Sequence, residues 1–598
     1  MLRILINQLG YDSDDTKRAI LQATEPLLPE KTFSIVKEET GERVFTGEVH
    51  KSAPVARWNK GDFYVLDFSA FAPDRQENFG ESYLLVVGTD KGPVRSSSFE
   101  IYGNLLEYST LSSVMYYFKS MRVTGEYEMI DRNIAFRPPR EGRVDLHGGW
   151  NDATGDIGVH LTHQSKSGYF NVQQGNIMVF IFYHLMELFE QSPWQYHAIF
   201  NRRVLDEATY GANWLMRRRA PSGSFFKAGP LRLPDAYELP EVTRQCGFEY
   251  KGTIGPGGEK IPESEWRVTD ESYEASLRGG GGYAVAALAM AARYPYPSQE
   301  YSGLEYLNAA RESFLYLEQN NEKYTKDGKW NLMDEYSALE ACVELYKTSR
   351  EFGFLTRARK YADRLISHYI PMSETDGYLS HDETDRPFFS PAEEGAPLLA
   401  LLHYRSIEKD ERRRAEALRV AESVLRFALR ITDEVDNPFG YAREYMQDAK
   451  GNRRAQFFFP HHSDDAPWWQ GENARILSLS TAARELARES ADSALAERLT
   501  RYADDQIAWV LGMNPFDACM MVGRGRHNGE YYFQNKYDFI GVPGGIVNGI
   551  TSAVDDDEGI EFVRTPRDNP EITDNWRWGE EWLPHAAWYL YAVGSKRR

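Results

Sequence analysis

The stretch RVDLHGGWNDATGDIGVHLTH, residues 143–163, sets two carboxylates four positions apart, Asp152 and Asp156, with Thr154 and Gly155 between them. Gly148, Gly149 and Gly155 favour a turn over a helix, and two carboxylates held close on such a loop can orient and deprotonate a water. Trp150 and His163 stand beside them as candidates to contact a substrate. The same residues also suit a plain Asp-rich turn whose carboxylates cap backbone amides. Near the other end of the chain, DNWRWGEEWLPHAAWYLYAVG places Glu580 and Glu581 at the start of an apolar segment. Acids in a helix's first turn commonly serve the helix dipole. With Trp576, Trp578 and Trp582 around the pair, an apolar wall would instead raise a carboxyl pKa toward that of a general acid. A base and an acid so placed are what glycoside hydrolysis needs.

Two further clusters could bind rather than react. FFFPHHSDDAPWWQGENAR combines His461, His462, Asp464, Asp465, Trp468, Trp469, Glu472 and Asn473. Adjacent histidines point apart in most backbones, which argues against a metal; Trp faces and carboxylates together suit a sugar subsite, the rings taking a pyranose face and the acids its hydroxyls or a cationic amine. WVLGMNPFDACMMVGRGRHNGEYY offers Arg524, Arg526, His527 and Asn528 on a loop after a helix ending at Gly512, where an ordinary Gly-stopped helix and basic turn is the plainer reading. Its glycines make no phosphate-binding fingerprint.

These residues must be positioned by a large scaffold. The chain has 598 residues, 42% of them hydrophobic and 13% aromatic, with 69 Lys and Arg against 89 Asp and Glu for a net charge of −20. The size leaves room for one large domain and a small one. An acidic chain is a poor partner for nucleic acid or an anionic membrane. The opening MLRILINQLGYD carries no charged start followed by an apolar run, so a cytoplasmic protein is expected. The most apolar stretch, 177–189, is too short to span a bilayer. Cys246, Cys342 and Cys519 are scattered without metal-ligand spacing and read as structural thiols; no cofactor is implied.

Period-two alternation over 2–9, 19–23, 32–37, 63–68, 83–88 and 97–102 predicts a small β-sandwich over 1–104. Beyond it, over 105–598, the helical period predicts twelve segments: 110–121, 173–191, 198–218, 282–294, 303–319, 334–349, 355–369, 392–405, 411–431, 472–489, 493–511 and 580–594. Twelve antiparallel helices with alternating long and short loops can close as six inner and six outer ones, leaving a cleft at one end. The long segments 134–170, 219–280, 372–391, 434–471 and 513–579 would line it.

Four motifs in this order resemble glycoside hydrolase family 9: GGWNDATGD its GGW-DAGD signature, LGMNP followed by VGRGRHNG its helix end and His/Arg loop, PGGIVNGITSAVDDDEG its Gly-rich acidic loop, and INQLGYDSDDTKRAIL the immunoglobulin-like domain preceding the barrel in one branch. The resemblance implies a mainly α fold, an (α/α)6 barrel behind an immunoglobulin-like β-sandwich, that hydrolyses β-1,4 glycosidic bonds with inversion. Carried over by position, Asp156 is the general base, Asp152 helps hold the water, and Glu580 is the general acid, with Glu581 the alternative register because Ala586-Ala587 stands where the family has Asn-Ala. Arg524 and His527 resemble the substrate-contacting loop. Two departures bear on substrate: Thr154 is an extra residue between the aspartates, and a Pro-His-His-Arg string is reduced to Arg526-His527-Asn528. On these grounds the sequence looks most like the exo-β-D-glucosaminidases of bacterial chitin catabolism, releasing glucosamine from short β-1,4 oligosaccharides, with Asp464, Asp465 and Glu472 to meet the amine. The alternatives are a cellodextrinase, β-glucosidase or endoglucanase on neutral glucans, and a non-catalytic oligosaccharide-binding protein. A uronic-acid lyase fits poorly, because a −20 chain repels an anionic substrate.

Overall fold

A computed structural model describes residues 1–598 apart from 74–79, 137–139, 155–157, 165–170, 192–197, 228–240, 243–272, 326, 449, 461–469, 538–540 and 598. The N-terminal strands are β1 (Leu2–Leu5), β2 (Tyr11–Asp12), β3 (Arg18–Ala23), β4 (Pro29–Lys37), β5 (Arg43–Ser52), β6 (Asp62–Asp67), β7 (Ser82–Thr89), β8 (Val94–Arg95) and β9 (Phe99–Tyr102). They pair in the order β1-β3-β6-β5-β4-β7-β9-β2, with β8 on β7. β5 pairs β4 along its first half and β6 along its last four residues, so one strand passes between the two layers of a sandwich. The sequence reading omitted β5, whose side chains are exposed or half-buried throughout and carry no apolar alternation. On β3 the period of two separates two cores. Ala19 and Leu21 pack inside the sandwich with Phe33, Ile35, Leu85 and Val87, while Ile20, with Leu5 and Phe63, faces the helical domain.

Among the described residues there are fourteen α-helices: α1 (Ser112–Met121), α2 (Glu126–Asp131), α3 (Gly175–Gln191), α4 (Ala198–Arg217), α5 (Gly282–Ala291), α6 (Gly303–Tyr324), α7 (Leu332–Ser349), α8 (Phe352–Ser367), α9 (Ala396–Ile407), α10 (Glu411–Asp433), α11 (Asn473–Glu489), α12 (Ser493–Val510), α13 (Trp576–Gly579) and α14 (Leu583–Gly594). Leaving out the short α2 and α13, twelve remain, where the helical period placed them. α3, α5, α7, α9, α11 and α14 each pack on the next, and α14 returns to α3, closing an inner ring. Their sequences explain the position: every residue of α5 and of α14 is buried, as expected of helices that are apolar all round. α4, α6, α8, α10 and α12 form the outer layer with α1; α6 and α8 bury one stripe each, whereas α4 and α12 are buried all round near their C-terminal ends. This is an (α/α)6 barrel behind an immunoglobulin-like sandwich.

The long connections all lead into inner helices, so the loops before α3, α11 and α14 meet at one end of the barrel. Among the inner helices α7 begins at a capping box. The Asn331 side chain accepts from Met333 and Asp334 N–H while Asp334 reaches back to the Asn331 N–H, starting α7. No described helix is long and apolar enough to cross a membrane. Cys342 and Cys519 are buried free thiols, and Cys246 lies outside the described residues.

Candidate active site

The GGW turn is shaped by close packing. Gly149 has φ +77°, and a Cβ there would sit 2.7 Å from Trp214 Nε1 and from Val159, so only glycine serves. The turn delivers Asp152 to the barrel mouth, buried, with Gln174 Nε2 donating to its Oδ2 at 2.7 Å. Gln174 precedes α3, so the first aspartate is oriented by the inner ring itself. Asp156 lies outside the described residues.

The acid pair differs from the sequence reading. Neither Glu580 nor Glu581 is in the first turn of a helix: α13 ends at Gly579, α14 begins at Leu583, and Glu580 is extended with φ −70° and ψ 130°. Pro584 occupies the first turn of α14, where its missing N–H costs nothing. The extended segment is the middle of a small ladder. On one side Ala153 bridges Trp582, with Thr154 N–H donating to Glu581 O and Leu583 N–H to Asp152 O. On the other, Val547 bridges Glu581 and Asn548 N–H donates to Glu580 O at 2.7 Å. Beyond that, Met521 bridges Ile546. Four motifs far apart in sequence are thus joined by backbone hydrogen bonds, and the ladder brings Asp152 and Glu580 to the same end of the barrel.

Glu580 is half-buried and Glu581 fully buried. Asn548 Nδ2 donates to Glu580 Oε2 at 3.3 Å and to Trp576 O at 2.7 Å. The amide is held from behind: Ala474 N–H at the start of α11 donates to His585 Nδ1, which leaves the ring proton on Nε2, 3.1 Å from Asn548 Oδ1. Burial pushes His585 down to about 3, keeping the ring neutral. Sequence reasoning missed Asn548 and His585, since only their convergence on Glu580 gives them meaning. The raised carboxyl expected of the tryptophan-flanked pair falls on Glu581, which burial lifts to about 8 against the opposing N–H of Val542 and hydroxyl of Thr154.

Several of the other expected contacts that are described have partners of their own. Trp150 is a core residue, 1% exposed, its ring packed edge-on against Tyr210, Trp214 and Phe182 and its N–H directed at Glu207; it has no free face for a sugar. Glu472 is fully buried against Arg475 and accepts the Phe459 N–H, so it is not available to an amine. Arg524 donates to Ser113 Oγ on α1, and the His527 ring meets Asp517. Gln8 of the sandwich accepts the Arg526 N–H in the same loop, which ties it to the N-terminal domain. His163 pairs Val172 through its backbone. Asp464, Asp465, Trp468 and Trp469, with His461 and His462, lie outside the described residues. The described residues contain no group of three or more His, Cys, Asp or Glu able to hold a metal.

Fold and site together define an (α/α)6-barrel glycoside hydrolase. The profile of glycosyl hydrolase family 9 matches residues 109–538, and that of the cellulase N-terminal ig-like domain matches residues 2–91. The chain belongs to glycosyl hydrolase family 9. Solved structures share the fold over almost the whole chain. A metagenome-derived glycoside hydrolase family 9 endoglucanase is 19% identical, covering 99% of this chain and 98% of that one with a TM-score of 0.62. A Bacteroides ovatus family 9 protein is 18% identical over 99% and 98%, TM-score 0.63. AaCel9A in complex with cellobiose-like isofagomine is 16% identical over 99% and 99%, TM-score 0.60. No curated protein matches the chain significantly.

Proposed function

We propose that the protein is an inverting hydrolase of neutral β-1,4-glucan oligosaccharides. Glu580 protonates the leaving glycosidic oxygen, and Asp156, with Asp152, drives a water onto the anomeric carbon from the opposite face. The observation that carries this reading is the ladder that holds the Asp152 loop beside the Glu580 segment. Glu580 rather than Glu581 is the acid because it is the accessible member of the pair. Its neighbour cannot reach a substrate. The Asn548 amide, fixed by His585, steadies the carboxyl through each proton exchange.

A neutral sugar is favoured over an amino sugar by the state of the described acids at this end. Glu472 is paired with Arg475. Burial raises Glu393 to about 8, against the Tyr336 hydroxyl and Gln173 N–H, and Glu394 to about 7 despite Arg475. Glu472 is matched by its own cation and Glu393 holds a proton at neutral pH, so neither offers a standing charge to a protonated amine. The solved relatives that carry endoglucanase names, and the one holding a cellobiose-like ligand, point the same way.

The test is to give the purified protein cellotetraose, the glucosamine dimer and its di-N-acetylated counterpart, following the fresh anomeric proton by NMR. Release of α-anomer from cellotetraose is expected. Preference for the glucosamine dimer would move the substrate to amino sugars, initial β-anomer would refute inversion, and no release from any would refute hydrolysis.

A further inference from the structure

Two features of the site touch each other, the additional Thr154 in the signature loop and the second acid beside Glu580. Thr154 Oγ1 donates to Glu581 Oε2 at 2.9 Å, in addition to the backbone bond from Thr154 N–H to Glu581 O. The same Oε2 accepts the Val542 N–H at 3.0 Å. One carboxyl oxygen therefore receives a donor from each of two loops. The fit around it is close: a Cβ on Gly545 would lie 2.5 Å from Glu581 Cδ. Burying a carboxyl without a cation is unfavourable, and an apolar side chain would fill the space more cheaply. A methionine, however, could not accept from two loops at once.

Thr154 lies midway between Asp152 and Asp156, and Glu581 is bonded directly to Glu580. We propose that Glu581 is a positioning residue, a latch that clamps the midpoint of the aspartate loop to the acid segment and so sets the separation between base and acid. Being buried, it touches no substrate. Inversion needs acid and base roughly 6.5–9.5 Å apart to admit one water, and a side chain tied to both loops holds that gap against drift. The latch works with either protonation state, because Oε2 accepts in both. This inference rests on the hydrolase reading above.

Thr154→Val removes the hydroxyl and keeps the volume. It is expected to lower kcat by roughly ten- to hundredfold, the effect of a misplaced reacting pair, with KM changed less than about threefold because binding is untouched. Thr154→Ser should recover most of the loss. Thr154→Val combined with Glu581→Ala should be no slower than Glu581→Ala alone, since both break one contact. Wild-type kcat in Thr154→Val, or losses that multiply in the double variant, would overturn the latch. If Glu581→Ala fails to fold, the valine and serine pair decides alone. Should the wild type release no sugar from any substrate, the hydrolase reading falls. Amide hydrogen exchange over 152–154 and 541–549 then judges the latch: faster exchange in Thr154→Val supports it, and unchanged exchange overturns it.

Discussion

Two groups of buried acids, one at each end of the barrel, are held in opposite ways. At the end away from the cleft, Lys347 Nζ lies 2.9 Å from Glu344 and 2.8 Å from Glu187, and Arg293 bonds to both acids. Burial alone would raise Glu344, but Lys347 and Arg293 pull it down to about 2. Beside it, His403 Nδ1 is 2.6 Å from Glu340, which raises the imidazole against the pull of burial. At the cleft end, Glu581 and Glu393 receive only hydroxyls and backbone N–H groups, and burial carries both to about 8. Paired charge at one end makes structure. Burial of Glu581 and Glu393 without a cation at the other makes carboxyls that hold a proton at neutral pH, the condition that clusters at functional sites, although Arg475 and Arg278 pair Glu472 and Asp334 at that same end.

The sharpest break of this comparison removes the chemistry and leaves the scaffold. Glu580→Gln and Asp156→Asn should each lower kcat by about 10²–10⁴-fold, the usual worth of acid or base catalysis, with thermal unfolding unchanged. Near-normal turnover in either refutes its role.

The opposite experiment breaks the scaffold and leaves the chemistry. Glu344→Ala leaves Arg293 and Lys347 with Glu187 as their remaining carboxylate and should cost about 2 kcal/mol, the loss of charge-assisted hydrogen bonds and not of every partner. Urea unfolding would show the loss, while activity per folded molecule stays level; a falling kcat would mean that the two ends are coupled.

A third measurement uses pH. Glu581 stays protonated in the fold to about 8 and ionises near its ordinary value when unfolded. Between those values the folded state holds the extra proton, so stability falls as pH rises, by up to about 1.4 kcal/mol per pH unit. Glu581→Gln keeps an acceptor for the latch but has no proton to lose, and should remove that part of the slope; identical slopes would mean that Glu581 is ionised in the fold. The smallest effect is expected from Asn548→Ala. Losing one hydrogen bond to Glu580, worth about 1 kcal/mol, should lower kcat five- to tenfold, and no change would cut Asn548 out of the mechanism.

Much of this was legible without coordinates. The helical period located all twelve barrel helices because an inner helix that is apolar all round, such as α5, and an outer one with a single stripe, such as α8, differ in residues alone. Asp152 was marked by a glycine-rich turn that no other residue could make at Gly149. The errors share one cause. The residue types make Trp150 a candidate substrate contact, yet Tyr210 and Trp214 cover its ring; they make Glu472 a candidate amine partner, yet Arg475 takes it.

Periodicity was sufficient for most of the sandwich strands and the twelve barrel helices, because burial patterns are written along the chain at fixed spacing, while the order of the reactive segments came from the resemblance of their motifs. What only the tertiary structure decided was which polar side chains meet. Glu580 and Glu581 are neighbours of one residue type, and nothing local separates an accessible acid from a buried latch. Their difference arises because Asn548 approaches one and Thr154 and Val542 the other. Hydrogen bonds act over about 3 Å between residues hundreds of positions apart, and that proximity exists only once the helical ring has closed.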